Sequence, residues 1–323
     1  MKNFQMAKGA KKIVQTCVNV QPGEEVLIVT DPLKFSIAEV IAEAAEALGA
    51  HAILSVMESR LIDSEEPPAT IAAAMKASQA FICVVGKSIT HTQAVKEALT
   101  YGARGVVLTQ FEENMMIHGG IECDFRKAKI ECKAVANAMA GASELLLSTK
   151  QGTNLRYSAK GRRGNSLYCM VEKGEFSTVP TVEANVSPVE GSANGIIVAD
   201  ASIPYLGIGV LDEPVVCTVE NGFITKITGG KQADILRADL ESKQDPNVFN
   251  IAENGIGLNP NCHFMGFMLE DEGVYGSAHI GIGTSITLGG KIKAACHYDL
   301  IMKDATLVAD GKYILKEGKV VLD

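Results

Sequence analysis

The 323-residue chain has no tryptophan, and aromatic residues make up only 5% of it. That scarcity argues against a stacking platform for single-stranded nucleic acid. Positive charge is also short. Thirty Lys and Arg against 38 Asp and Glu leave a formal net charge of −8, so the chain carries no basic footprint for a nucleic-acid partner. No apolar run reaches the roughly 18 residues of a membrane span. The opening segment MKNFQMAKGAKKIVQ lacks the apolar core of a signal peptide, so a cytoplasmic protein with no membrane partner is expected. The eight cysteines stand singly at 17, 83, 123, 132, 169, 217, 262 and 296, with no Cys-x-x-Cys pair. This spacing suggests neither a zinc ribbon nor a disulfide framework, and reduced thiols are the expectation. What remains is ordinary for a globular protein: 47% apolar and 21% charged residues, in a chain long enough for two domains.

The two halves differ in texture. Residues 1–148 alternate helical and strand patterns. A helix is expected over 4–19, and VQPGEEVLIVT turns at Pro22-Gly23 into an apolar strand. SIAEVIAEAAEALGA (36–50) reads as an amphipathic helix closed by Gly49, and HAILSVM (51–57) as the next strand. The unit repeats through AFICVVG, GVVLTQ and ELLLSTK, each with its helix, the last helix being KAKIECKAVANAMAGA. Strands alternating with helices of this length predict a parallel sheet covered on both faces. Ligands of such sheets gather beyond the carboxyl ends of the strands.

From 149 to 323 helical patterns are rare, and short strands are separated by Gly, Asn and Pro. VVCTVENGFITKIT (215–228) predicts a hairpin with Asn221-Gly222 in a type I′ turn. ADILRADLESK (233–243) is the one clear helix. The expected fold class is therefore α/β: a parallel-sheet domain over 1–148, then a mixed, mainly antiparallel β-rich α+β domain over 149–323.

Three of the six histidines fall between 263 and 297, in a glycine-rich apolar region. HYDLIM (297–302) places His297 and Asp299 on one face of a strand, roughly 6–7 Å apart. Such a pair can grip a metal ion, relay a proton, or form a surface salt bridge. In AHIGIG, His279 alternates with small residues, which suits close backbone approach to a site. Glu253 precedes a glycine-rich turn in IAENGIGLNP, and Glu183 lies in the extended segment TVPTVEANVSPVEG. Imidazole and carboxylate donors of this kind suit Zn²⁺, Co²⁺, Mn²⁺ or Fe²⁺. A bridging carboxylate would let the set hold two ions, which together can activate water. The run Glu270, Asp271, Glu272 does not match a calcium loop and reads as a solvated turn. No Gly-x-Ser-x-Gly elbow is present, and the glycine-rich stretches are not followed by helices that would cradle phosphate.

The segments QGTNLRYSAKGR, VPTVEANVSPVEGSANG, IAENGIGLNP, SAHIGIG and ACHYDLIM, taken in order, resemble the aminopeptidase T/S type of metallopeptidase. The resemblance runs through nearly the whole chain and is nearest to the family's short "leucyl aminopeptidase"-like members. It implies that Glu183, Glu253, His279, His297 and Asp299 share one metal site, with Glu253 bridging two ions of Zn, Co or Mn. Two departures stand out: Val182 replaces an expected glycine, and Ile286 stands where the peptidases have a tyrosine. The same superfamily contains the 2,5-dihydroxypyridine 5,6-dioxygenases, which use two histidines and an aspartate on one Fe(II). His297 and Asp299 fit two of those places. His91 in SITHTQAV matches that group's active-site histidine and would act as a general base. Otherwise His91 begins the helix TQAVKEAL, with Thr90 as its N-cap.

The leading expectation is thus a metal-dependent hydrolase of the aminopeptidase T type, with Glu253 catalytic and a small peptide or amide as substrate. The alternative is an Fe(II) ring-cleaving dioxygenase; a third reading is a catalytically silent scaffold on the same fold. Asn154, Gly152 and Arg162 follow the first domain and are expected to line the substrate cleft. Arg162 or Arg163 either holds a substrate carboxylate bidentately or belongs to a solvated basic turn. By resemblance, the chain is expected to form a homodimer.

Overall fold

The computed structural model describes residues 2–90 and 92–322. Its α/β class follows the sequence pattern, and the chain divides into two compact units: 1–125 with 167–180, and 126–166 with 181–323.

The first unit is built on a five-stranded parallel sheet. Its order is His51–Val56, Glu25–Thr30, Ala80–Val85, Arg104–Thr109 and Phe176–Thr178. The strand Ala80–Val85 is buried along its entire length, as a strand covered on both faces requires. Leu27, Val29, Phe81, Cys83 and Val107 form its core with Ile71, Met75, Val95 and Ala98 from the helices Ala69–Ala77 and Gln93–Thr100. The N-terminal helix Lys2–Lys12 continues as a π-helical turn over Ile13–Cys17. Asp31, just beyond the first strand, caps Leu33 N and accepts Gly86 N at 2.6 Å, joining two carboxyl ends of the sheet.

The structure divides the chain elsewhere than at 148. The predicted last strand of the first domain, Leu145–Ser148, pairs antiparallel with Asn154–Tyr157 and with Thr306–Ala309 in the second unit. The reason is geometric. The connection 149–153 is a hairpin link, whereas a parallel crossover needs a dozen residues or more. Phe176–Thr178 takes the edge of the parallel sheet instead.

The second unit holds two sheets. One is eight-stranded and antiparallel, and it contains the predicted hairpin Val215–Glu220 and Phe223–Thr228. Asn221 and Gly222 both have positive φ, 51° and 83°, as a type I′ turn demands. The predicted helix spans Lys231–Ser242. Within the unit, the other sheet runs in the order Gly209–Val210, Ser202–Ile203, His297–Met302, Ala278–Gly283, Ile251–Gly257 and Val182–Val186. Its strands at 182–186, 251–257 and 278–283 are buried at every residue. Such strands bury polar side chains only where those groups have partners.

Candidate metal centre

Register in this second sheet gathers the polar residues. Gly255 pairs with both Asn185 and His279, Gly257 with Glu183, Gly281 with Glu253 and Asp299, and Gly283 with His297. Functional side chains therefore alternate with glycines across neighbouring strands of one face. The glycines are needed for space. A Cβ on Gly255 would lie 2.0 Å from His279 Nε2, and one on Gly281 would lie 2.7 Å from His297 Nε2 and 2.9 Å from Glu253 Cβ. Each imidazole thus lies across a glycine of the adjoining strand.

All five expected ligands come together in two overlapping groups. Glu183, Glu253 and His279 form one, and Glu253, His297 and Asp299 the other; within each group the ligand atoms lie within 4.8 Å of one another. Glu253 belongs to both. His297 Nε2 is 3.1 Å from Glu253 Oε2 and 3.5 Å from Asp299 Oδ1, and His279 Nε2 is 3.4 Å from Glu183 Oε2. His297 Nδ1 sits 2.9 Å from the carbonyl of Thr284, so Nδ1–H donates and Nε2 is directed at the carboxylates.

The electrostatics are those of crowded, buried anions. Burial pushes the Glu183 carboxyl up to about 7, with Glu253 adding to the effect and His279 opposing it. Burial disfavours the His297 imidazolium, but Asp299 and Glu253 outweigh it and hold its pKa well above the ordinary value. Burial likewise opposes ionisation of Asp299, yet His297 holds its pKa below the usual range. Glu183 Oε2, Asp299 Oδ1 and His279 Nδ1 are buried without a hydrogen-bond partner. Such atoms need an explanation, and a cation fits a set this rich in anionic oxygen. Each group offers one imidazole and two carboxylates, so the two-histidine, one-carboxylate face expected for Fe(II) is not found within either group among the described residues.

Sequence reasoning missed three neighbours. Asn185 shares the face of Glu183 two residues on, a period-two signal that could have revealed it, and its Nδ2 donates to Glu183 Oε1 at 2.9 Å. Tyr205 donates to Asp299 Oδ2 at 2.6 Å and lies 3.3 Å from Glu272 Oε1. The supposed solvated turn is in fact buried: Glu270 is 1% exposed, Asp271 0% and Glu272 9%. Asp271 accepts Met265 N and Gly266 N, organising the loop before its short helix. Burial and the charge of Asp299 raise the Glu272 carboxyl well above its ordinary pKa. The phenol at the cluster is Tyr205, whereas Ile286 is half exposed.

The other expected site residues lie elsewhere. Arg162 is not open to a substrate carboxylate, because it donates to Gly289 O at 2.7 Å and pairs with Glu190. Asn154 is exposed on the eight-stranded sheet, and Gly152 and Arg163 are also exposed. None of the three belongs to either ligand group. His91 lies outside the described residues. The helix after it starts at Gln93 with Thr92, not Thr90, as its N-cap, accepting Val95 N. Burial pushes the thiols of Cys123 and Cys296 up to about 11, which speaks against either as a nucleophile.

Sequence comparison assigns the class to which this fold and cluster belong. The family model of 2,5-dihydroxypyridine 5,6-dioxygenase (NicX) matches residues 5–322, and the chain belongs to that family. Among individual relatives, 2,5-dihydroxypyridine 5,6-dioxygenase of Pseudomonas putida KT2440 is 30% identical over 162 residues, a match spanning 46% of this chain and 46% of that protein. The solved structure of 2,5-dihydroxypyridine dioxygenase from Pseudomonas putida KT2440 is similar with a TM-score of 0.85, over 99% of this chain and 98% of that one, at 20% identity. Wild-type AmpT from Thermus thermophilus is similar with a TM-score of 0.72, over 99% of each chain, at 17% identity. At such identities the structural likenesses are of fold. The expectation of an aminopeptidase T-type hydrolase is overturned: the family and the curated relative are dioxygenases by name, and AmpT shares the architecture alone. Among the described residues no helix is long and apolar enough to cross a membrane.

Proposed function

We propose that this chain is a ferrous-iron-dependent dioxygenase that opens the ring of a dihydroxylated pyridine. The observation that carries the reading is the family match along residues 5–322. The buried cluster offers donors for a divalent cation, one imidazole and two carboxylates in each group. Glu253, His297 and Asp299 would hold the ion, with Glu183 and His279 beside them. When bound, a ferrous ion would supply open coordination positions at which O₂ and the ring can meet, the electrons that reduce O₂ coming from the ring that is opened. The chain's own residues prepare the place. Thr284 fixes the His297 ring so that Nε2 faces Glu253 and Asp299. The carboxylates supply the negative charge that retains a divalent cation, and the glycines at 255 and 281 leave the imidazoles room to lie flat. His91 is proposed as the base that takes a proton from a ring hydroxyl.

The test is oxygen uptake by anaerobically purified protein loaded with ferrous iron, using dihydroxypyridines as substrates. One O₂ consumed per ring opened is the expected result. Turnover that persists in strictly anaerobic buffer, or with zinc as the sole metal, would overturn the proposal.

A further inference from the structure

Two carboxylates of the cluster are held in the same manner by different partners. Glu183 accepts Asn185 Nδ2 at Oε1 (2.9 Å), while its Oε2, buried and without a hydrogen-bond partner, faces His279 Nε2 at 3.4 Å. Asp299 accepts the Tyr205 hydroxyl at Oδ2 (2.6 Å), while its Oδ1, likewise buried and without a hydrogen-bond partner, lies 3.5 Å from His297 Nε2. In both cases a neutral donor takes one oxygen and an imidazole faces the other.

Both donors are themselves fixed. Asn185 Oδ1 accepts Asn165 Nδ2 at 2.8 Å, so the Asn185 amide is turned with its NH₂ toward Glu183. The Asn165 amide also donates to Leu288 O at 3.2 Å. Tyr205 is 8% exposed, and its ring packs against Tyr298 with centroids 4.9 Å apart. A carboxylate free to rotate can bind a cation through either oxygen or both. With one oxygen committed to a neutral donor, it offers a single oxygen in a single direction.

We infer that Asn185 and Tyr205 are positioning residues of the metal centre, each holding one carboxylate to a single presented oxygen and so setting the affinity for the divalent cation. Neither supplies a ligand atom to the two groups; they act through Glu183 and Asp299. The inference deepens the proposed function and rests on its metal reading.

The experiment titrates Mn²⁺, an air-stable probe, into the metal-free full-length chain and follows the electron paramagnetic resonance signal of the free ion. Tyr205→Phe and Asn185→Leu remove the donors at nearly constant shape; Asn185→Ala, smaller and likewise without a side-chain donor, serves if the leucine variant does not fold. Tyr298→Phe is the control, because its hydroxyl donates to Asp239 and not to the cluster. Melting of each metal-free variant reports the fold independently of the ion. The expected result is a rise in the Mn²⁺ dissociation constant of about 10–100-fold for Tyr205→Phe and for Asn185→Leu. The control should stay close to wild type. Donor variants that bind less than about tenfold more weakly than wild type overturn the positioning role and leave the metal reading intact. A control that weakens as much as Tyr205→Phe also overturns it, since the effect would then be one of aromatic packing. A wild-type chain that binds no Mn²⁺ brings down the metal reading, and the inference with it.

Discussion

His297 Nε2 meets Glu253 Oε2 at 3.1 Å across 44 residues of sequence, and Glu253 is the one residue common to both ligand groups. Removing Glu253 therefore takes a ligand from each group at once, whereas removing Glu183 or Asp299 takes a ligand from only one. Glu253→Ala is expected to lose bound metal more completely than Glu183→Ala, by more than the 10–100-fold typical of a supporting residue. Metal content per chain after anaerobic loading, by mass spectrometry, checks the ranking. Equal losses in the two variants would refute it.

The crowding of anions predicts a pH dependence. Glu183 has its folded-state pKa raised from the ordinary 4.5 to about 7. The unfolded chain gives up this proton more readily than the folded one, so the stability contributed by Glu183 is complete below about 4.5 and is lost as pH rises toward 7. His297, also raised, acts in the same direction: its contribution is present below the unfolded value of 6.5 and is lost at higher pH. The metal-free chain should melt at a lower temperature at pH 8 than at pH 6, and Glu183→Gln should flatten the difference. Scanning calorimetry across that range decides, and a metal-free melting point that rises toward pH 8 would contradict the assignment.

Glycine is a positional requirement at 255 and 281. Gly255→Ala would drive a methyl group into the His279 ring, with a contact of 2.0 Å, and Gly281→Ala would press on both His297 and Glu253. Each substitution should abolish metal retention while leaving the far-ultraviolet circular dichroism spectrum close to wild type, since the strands pair through backbone. Normal metal binding by both variants would show that the rings need not lie where the structure puts them.

Arg162 illustrates how context changes a residue's task. Its guanidinium holds Gly289 O and Glu190, and Glu190 in turn accepts Lys291 N at 2.8 Å. Arg162→Leu should therefore loosen the segment 285–292, raising its amide hydrogen exchange by about tenfold or more. Exchange mass spectrometry on peptides from that segment gives the answer; unchanged protection would mean the clamp is ornamental.

Tyr157 supports the sheet from beneath the site. It is 2% exposed and donates to Asn254 Oδ1 at 2.5 Å, while Asn254 Nδ2 holds His279 O. Tyr157→Phe leaves a buried acceptor unsatisfied and should cost about 1–3 kcal/mol of stability by urea denaturation.

Local pattern carried much of this. His297-x-Asp299, the histidine among small residues at 279, and Glu183 and Glu253 beside glycines are all visible along the chain, because a strand's period of two puts alternate residues on one face. Tyr205 and Glu272 carry no such signal. They reach Asp299 through long-range pairing and loop packing, and an acidic triplet looks solvated until something buries it. Arg162 was misread for a related reason: its partners at 190 and 289 are distant in sequence. The extent of the parallel sheet was misjudged because a short edge strand, Phe176–Thr178, lies far from the repeating units that precede it.

That edge strand has a consequence for how the protein is made. Because the first unit takes back residues 167–180 after the chain has left it at 126, its sheet lacks a border strand until the ribosome has released residue 178. By then the hairpin Leu145–Ser148 and Asn154–Tyr157 of the second unit has already been synthesised. The two units are therefore interleaved in time as well as in sequence. A fragment ending at 148 would leave Arg104–Thr109, paired on both sides in the whole chain, as an unpaired edge open to a second nascent chain.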